Sequence, residues 1–235
     1  MRTSLTGTNE CLRLRSGMEI LASRLETTRY AAYLGATTEL RKEEGITFDF
    51  DTNTLYVAMS EVNNAMEDGS SRDKAGPNHI RVPRNDCGVV YALPVAPDAA
   101  IGSRYVAQRW IGVVAGRPVD GDPVNTCAKD GIANPDNVTF LTGMGILIIG
   151  EDTGSGHQND AIWAYNVYTG SLTRILTTPY GSETTSPYWY PNINGWAYLR
   201  TTVQHPYGES DSDQLMDPAE ARAYDGYVGP FPALP

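Results

Sequence analysis

Cysteine is scarce in this chain. Cys11, Cys87 and Cys127 are its three, far apart, with no Cys-x-x-Cys pair and no histidine at ligand spacing. That pattern signals neither a zinc site nor a disulfide framework and leaves the compartment open. No run approaches the roughly 18 apolar residues of a membrane span, and the opening MRTSLTGTNECLRLRSGMEI has no apolar segment of the signal-peptide kind. Positive charge is also in short supply: 18 Lys and Arg stand against 28 Asp and Glu, a net charge of -10. Such a chain repels phosphate backbones, so no nucleic-acid partner is expected. There is no G-x-S-x-G elbow, no G-x-G-x-x-G and no P-loop. His79, His157 and His205 have no spacing for a metal clamp or a triad and read as satisfied structural residues.

What the chain has is punctuation. Its 23 glycines and 15 prolines, in 235 residues, separate short β-branched and aromatic runs, the texture of an all-β domain. Residues 17 to 34 carry Met18, Leu21, Leu25, Ala32 and Tyr33 at near-helical intervals before Gly35, which predicts one short N-terminal helix. Three later stretches align: EGITFDFDTNTLYVAMSE (44 to 61), DNVTFLTGMGILIIGEDT (136 to 153) and SPYWYPNINGWAYLRTTV (186 to 203). Each reads as a polar start, a strand, a turn and a second strand. The first two starts lie about two propeller-blade lengths apart and the last two about one. CGVVYALPV (87 to 95) and RYVAQRWIGVVAG (104 to 116) are further strands, and 161 to 178 is a hairpin around Thr169-Gly170 that supplies the outer strands of the blade begun at Asn137. A β-sandwich gives similar strands, and the repeat favours the propeller. The expectation is a partial β-propeller of about three to four blades over 41–210. It follows an N-terminal segment, 1–40, with the short helix, carries long loops at 62–86 and 117–135, and precedes a poorly ordered tail, 211–235.

In a propeller the innermost strand of each blade starts beside the central channel. Glu44, Asp136, Asn137 and Glu183 occupy or closely precede such starts, so several blades would bring oxygen ligands to one place. That suits a hard cation such as Ca2+, which takes six to eight oxygens. The plainer alternative is that each side chain satisfies backbone groups of its own turn. Glu151 and Asp152, after the second strand of their hairpin, read as solvated loop residues, with calcium ligation as the lesser alternative.

The series ETTRYAAYLGATTELRKEEGITFD, NDCGVVYALPV, NPDNVTF…LIIGEDT, NDAIWAYNVYTG…RILTTPYGSETTSP and TTVQHPYGES resembles, in order, the C-terminal half of PhoX-type alkaline phosphatases, over roughly residues 10 to 210. The resemblance implies a periplasmic or secreted β-propeller that hydrolyses phosphate monoesters at channel-bound Ca2+ and Fe3+. Lys42-Glu43-Glu44 matches the family's Arg-Pro-Glu triplet, which makes Glu44 a metal ligand and Lys42 the catalytic phosphate contact in place of arginine, without arginine's bidentate fork. The family's iron-binding cysteine and several calcium ligands lie upstream of the matching region. The resemblance therefore predicts a chain that is catalytically incomplete by itself, a fragment needing the missing N-terminal propeller half or a protein partner. The competing reading is a non-catalytic calcium-binding or partner-binding propeller segment.

Overall fold

The computed structural model describes residues 13–72, 78–208 and 217–233. The chain divides into two compact units, one formed by residues up to 42 together with 62–84, the other by 43–61 and 85 onward.

The first unit holds two short helices, α1 (Glu19–Leu25) and α2 (Thr27–Tyr33), where one was expected. The break falls at Glu26, whose backbone leaves the helical region (φ -132°, ψ 46°) just before the paired β-branched residues Thr27 and Thr28. The rest of this unit is organised by Glu39, whose buried carboxylate accepts hydrogen bonds from the Thr37 hydroxyl and from the backbone N–H groups of His79 and Ile80.

The second unit is antiparallel β-structure in three sheets, a partial propeller. The first contains β1 (Glu43–Asp49), β2 (Thr54–Met59), β3 (Val89–Asp98), β4 (Ser103–Ala107) and β5 (Ile111–Ala115). The single strand expected over 104–116 is two: β5 pairs with the first half of β3 and β4 with the second, so together they form one interrupted outer strand. The second sheet, β6 (Pro135–Leu141), β7 (Ile146–Glu151), β8 (Ala161–Asn166) and β9 (Leu172–Thr177), follows chain order, the inner pair then the outer pair. The third joins β10 (Glu183–Ile193), β11 (Trp196–Gln204) and β12 (Tyr224–Pro232). Residues 224–232, within the stretch expected to be a poorly ordered tail, thus pair with β11 along its length. Residues 211–216, 234 and 235 of that tail lie outside the described residues.

Side-chain alternation explains why the sheets stack. In β7, Leu147 and Ile149 point toward Tyr56, Val90 and Phe140 in the core shared with the first sheet, while Ile148 joins Leu141, Ile162 and Leu199 against the third. A strand buried on both faces reads as a continuous apolar run, here Ile146-Leu147-Ile148-Ile149. The innermost strands run side by side, β6 packing against β1 and against β10. The closest approach is at Gly45 of β1, where a Cβ would stand 2.2 Å from the Asp136 carbonyl oxygen. Cys87, before β3, is disulfide-bonded to Cys127. The cysteine pattern did not signal this bond, because 40 residues separate the two and only the fold brings them together.

Candidate metal centre

Asp136, Asp152 and Glu183 each offer a carboxylate oxygen, and the three oxygens lie within 4.8 Å of one another. Each is placed by a backbone feature beside it. Asp136 is the second residue of β6, fixed from one side by Gly45. Asp152 follows the end of β7, where Glu151 pairs with Pro135, and its N–H donates to the Asn134 carbonyl at 3.2 Å. Glu183 opens β10, and its neighbour Thr184 locks that opening to β7. The Glu151 N–H donates to Thr184 Oγ1 at 2.7 Å, and the same hydroxyl donates to the Glu151 carbonyl at 3.0 Å. Gly150 leaves the room, since a Cβ there would meet Thr184 Oγ1 at 2.8 Å.

The carboxylates are held as well as placed. The Asn137 amide donates to Asp136, and the Gln204 amide donates to Glu183 Oε2. His205 Nε2 lies 3.2 Å from the same Glu183 oxygen. Two oxygens bound to one Ca2+ at about 2.3–2.6 Å can be no more than about 5 Å apart. The observed spacing fits that limit, and all three donors are hard oxygens.

Of the residues expected from the sequence, the fold brings Asp136 and Glu183 together. Asn137 sits beside them, with its Oδ1 accepting the Ser186 N–H at 3.3 Å. Glu44 is exposed and is not one of the three clustered carboxylates, although the next residue, Gly45, presses on Asp136. Lys42 directly precedes β1 with a left-handed backbone, φ 53°. Asp152, read as a solvated loop residue, is the third member. The register shifts between Pro135 and Asn137, so that Pro135 faces Glu151 and Asp152 follows just beyond it, an irregularity that counting along the hairpin does not foresee.

Glu151 also departs from its solvated reading. It is fully buried and accepts four hydrogen bonds: Ala133 N–H (2.8 Å) and Trp163 Nε1–H (2.6 Å) on Oε1, Ala161 N–H (2.9 Å) and His157 Nδ1 (2.9 Å) on Oε2. Both ring nitrogens of buried His157 face acceptors, since Nε2 lies 3.1 Å from the Ala128 carbonyl. Only the imidazolium donates to both. Burial presses its pKa down, but the hydrogen bond and charge of Glu151, aided by Ala128, outweigh this, and the net direction is upward.

Asp160 is buried, and its pKa is pushed up to about 8 chiefly by that burial, against the opposing hydrogen bonds of Thr153. Hydrogen-bond counting agrees. The Thr153 hydroxyl has one proton but two acceptors in reach, the His157 carbonyl at 2.8 Å and Asp160 Oδ1 at 2.7 Å. A protonated Asp160 donates to that hydroxyl and frees it for His157.

Among the described residues no thiolate reaches the cluster, since Cys87 and Cys127 are disulfide-bonded to each other; Cys11 lies outside the described residues.

No family model matches the chain, and no curated protein matches it. Among solved structures it is similar to Pseudomonas fluorescens PhoX in complex with vanadate, a transition state analogue, with a TM-score of 0.55 and 21% identity. The match covers 84% of this chain and 34% of that one, so the chain spans about a third of the length of the protein it matches. At that identity the likeness is one of fold, and the fold is PhoX-like.

Proposed function

We propose that this chain carries part of the metal centre of a phosphomonoester hydrolase of the PhoX type. Asp136, Asp152 and Glu183 hold Ca2+, while Asn137 and Glu44 complete the inner-strand ligand set. The convergence of three carboxylates at the starts and ends of inner strands, on a PhoX-like fold, supports this reading. A bound divalent cation polarises a phosphoryl oxygen and neutralises charge that develops in transfer. The protein's own part is to fix the carboxylates: Asn137, Gln204 and His205 orient them, and Thr184 sets the strand that carries Glu183. Lys42, by its place in the Lys42-Glu43-Glu44 triplet, supplies a positive charge to the phosphate. A periplasmic or secreted setting accords with the disulfide, which persists under oxidising conditions, and no described helix is long and apolar enough to cross a membrane.

The five proposed donors serve one Ca2+, which takes six to eight oxygens, and leave none for the second cation of a two-metal phosphoryl-transfer site, so the 235-residue chain alone is expected to bind Ca2+ weakly and to hydrolyse esters poorly. The second reading, a calcium-binding or partner-binding segment without catalysis, is favoured by the third sheet, where Tyr188, Trp196, Tyr224 and Tyr227 are exposed. Calorimetric titration with CaCl2 tests the centre: Asp136→Asn and Glu183→Gln are each expected to weaken binding about tenfold or more, and unchanged affinity would remove it. Hydrolysis of p-nitrophenyl phosphate separates the readings. Calcium-dependent turnover lost in Glu183→Gln supports the hydrolase; calcium binding with no turnover, even with a partner restored, supports the binding segment.

A further inference from the structure

A second polar site lies on the outer half of the second sheet. A cavity of about 260 Å³ opens between the loop leading from Asp122 to Lys129 and the end of the β8–β9 hairpin where Ala161 pairs with Thr177. We propose that it binds a small oxyanion, either inorganic phosphate or sulfate or the headgroup of a phosphate monoester, gripped by Arg174 and Lys129 with the amides of Asn125, Gln158 and Asn159 around it.

Charge is the first reason. The chain carries ten more acidic than basic groups, yet the residues lining this cavity include two permanent cations and no carboxylate. Asp122 pairs with Lys129, so Arg174 is the cation that no carboxylate offsets among the described residues.

The second reason is that Arg174 is already ordered. Its guanidinium carbon sits 4.8 Å from the Trp163 ring centroid, a stacking contact, and one of its nitrogens donates to the Lys129 carbonyl. Among the described residues it makes no ion pair with a carboxylate. A guanidinium held over the indole, with N–H groups to spare, matches a tetrahedral oxyanion in bidentate fashion and has already lost some of the freedom that binding would otherwise cost.

Lys129 is held by an ion pair. Its Nζ lies 3.1 Å from Asp122 Oδ2, which leaves other ammonium protons for a ligand. The other oxygen of Asp122 is taken up by the N–H groups of Val124 and Asn125 and by the Asn125 amide, all near 3 Å, and those bonds, the Val124 one foremost, hold its pKa below the usual carboxylate range.

The walls are fixed too. Asn125 Oδ1 accepts the Gln158 N–H at 2.9 Å, Asn159 Nδ2 donates to the Thr178 carbonyl at 3.0 Å, and the loop is tied down at Cys127 by the disulfide and by its N–H bond to the Gly156 carbonyl. The volume lies below the several hundred Å³ of a drug-sized pocket and suits an anion with a small organic substituent. None of these residues belongs to the carboxylate cluster, so the test is independent of the calcium centre.

The experiment is an amide chemical-shift titration of the full chain in EDTA with sodium phosphate, sodium sulfate and glycerol 3-phosphate, using sodium chloride as the ionic-strength control. Saturable shifts at Gln158, Asn159 and Lys129, weakened about tenfold in Arg174→Gln and about threefold in Lys129→Gln, are expected. Equal affinity for phosphate and its monoester identifies a headgroup site, and binding of the inorganic ions alone identifies a free-anion site. If Arg174→Gln does not fold, Lys129→Gln carries the test. No saturation beyond the chloride control, affinity unchanged in the variants, or shifts confined to Asp136, Asp152 and Glu183 would overturn the proposal.

Discussion

Asp160 shows how one buried carboxyl shapes the pH response. Its folded pKa is pushed up to about 8, above the ordinary 3.8, so the native state holds a proton that the unfolded chain has released. The stabilising contribution of that proton is complete below about pH 4 and is lost as pH rises toward 8. Asp160→Asn keeps the shape, accepts the Thr153 N–H and donates to the Thr153 hydroxyl at every pH. The variant is expected to gain several kcal/mol more over the wild type at pH 9 than at pH 5, read as urea midpoints at the two values. A gain of the same size at both would show that Asp160 does not titrate in the native state. Glu151 is a hub of a different kind, with four donors converging on its two oxygens. Glu151→Gln places an amide N–H₂ where two donors already point, and is expected to cost about 3 kcal/mol by urea denaturation; a change below about 1 kcal/mol would mean that the hub is dispensable.

At the scale of elements, the strands were legible because alternation and turn residues are local signals. The Thr169-Gly170 hairpin and the inner-then-outer order of β6 to β9 follow from them. Asp136 and Glu183 were legible for the same reason, as polar residues heading inner strands. The features missed from the residues depend on contacts between elements. The interruption between β4 and β5 is set by two partners sharing β3, and β12 exists because β11 offers it an edge, although its own sequence, YDGYVGPFP, has the glycines and prolines of a tail. Glu151 and Asp152 are neighbours in sequence with opposite fates, one buried and the other among the clustered carboxylates; composition does not distinguish them, but alternation along β7 puts Glu151 on the buried face of Leu147 and Ile149. Gly45 yields a prediction at this scale. A Cβ there collides with the Asp136 carbonyl oxygen at 2.2 Å, so β1 and β6 must separate. Gly45→Ala is expected to lose about 2–3 kcal/mol and to weaken calcium binding, measured by thermal melts with and without CaCl2. An unchanged calcium-dependent shift would show that the β1–β6 contact does not position Asp136.

For the molecule as a whole, the Cys87–Cys127 bond has the longest reach. It closes a loop of 40 residues, for which loop entropy in the unfolded chain gives about 4 kcal/mol of stabilisation. The bond does more than shorten the unfolded chain. Cys87 and Cys127 are buried together with Ala133, whose N–H donates to Glu151, and three residues later the chain reaches Asp136. A cross-link on the far side of the loop therefore supports both the buried hub and the start of β6. Reduction, or the Cys87→Ser Cys127→Ser pair, is expected to lower the urea-unfolding free energy by about 2–4 kcal/mol. It is also expected to diminish the rise in Tm that calcium gives, since a ligand stabilises by RT ln(1 + [L]/Kd) and a looser Asp136 raises Kd. The two effects are separable: melts in reductant at zero calcium report the entropic part, and the calcium increment reports the positional part. A reduced chain that melts like the oxidised one would mean that the bridge merely joins parts the fold already holds. A chain destabilised by reduction but with its full calcium increment would confine the role of the disulfide to the unfolded state and leave Asp136 fixed by Gly45 and the β6–β7 pairing alone.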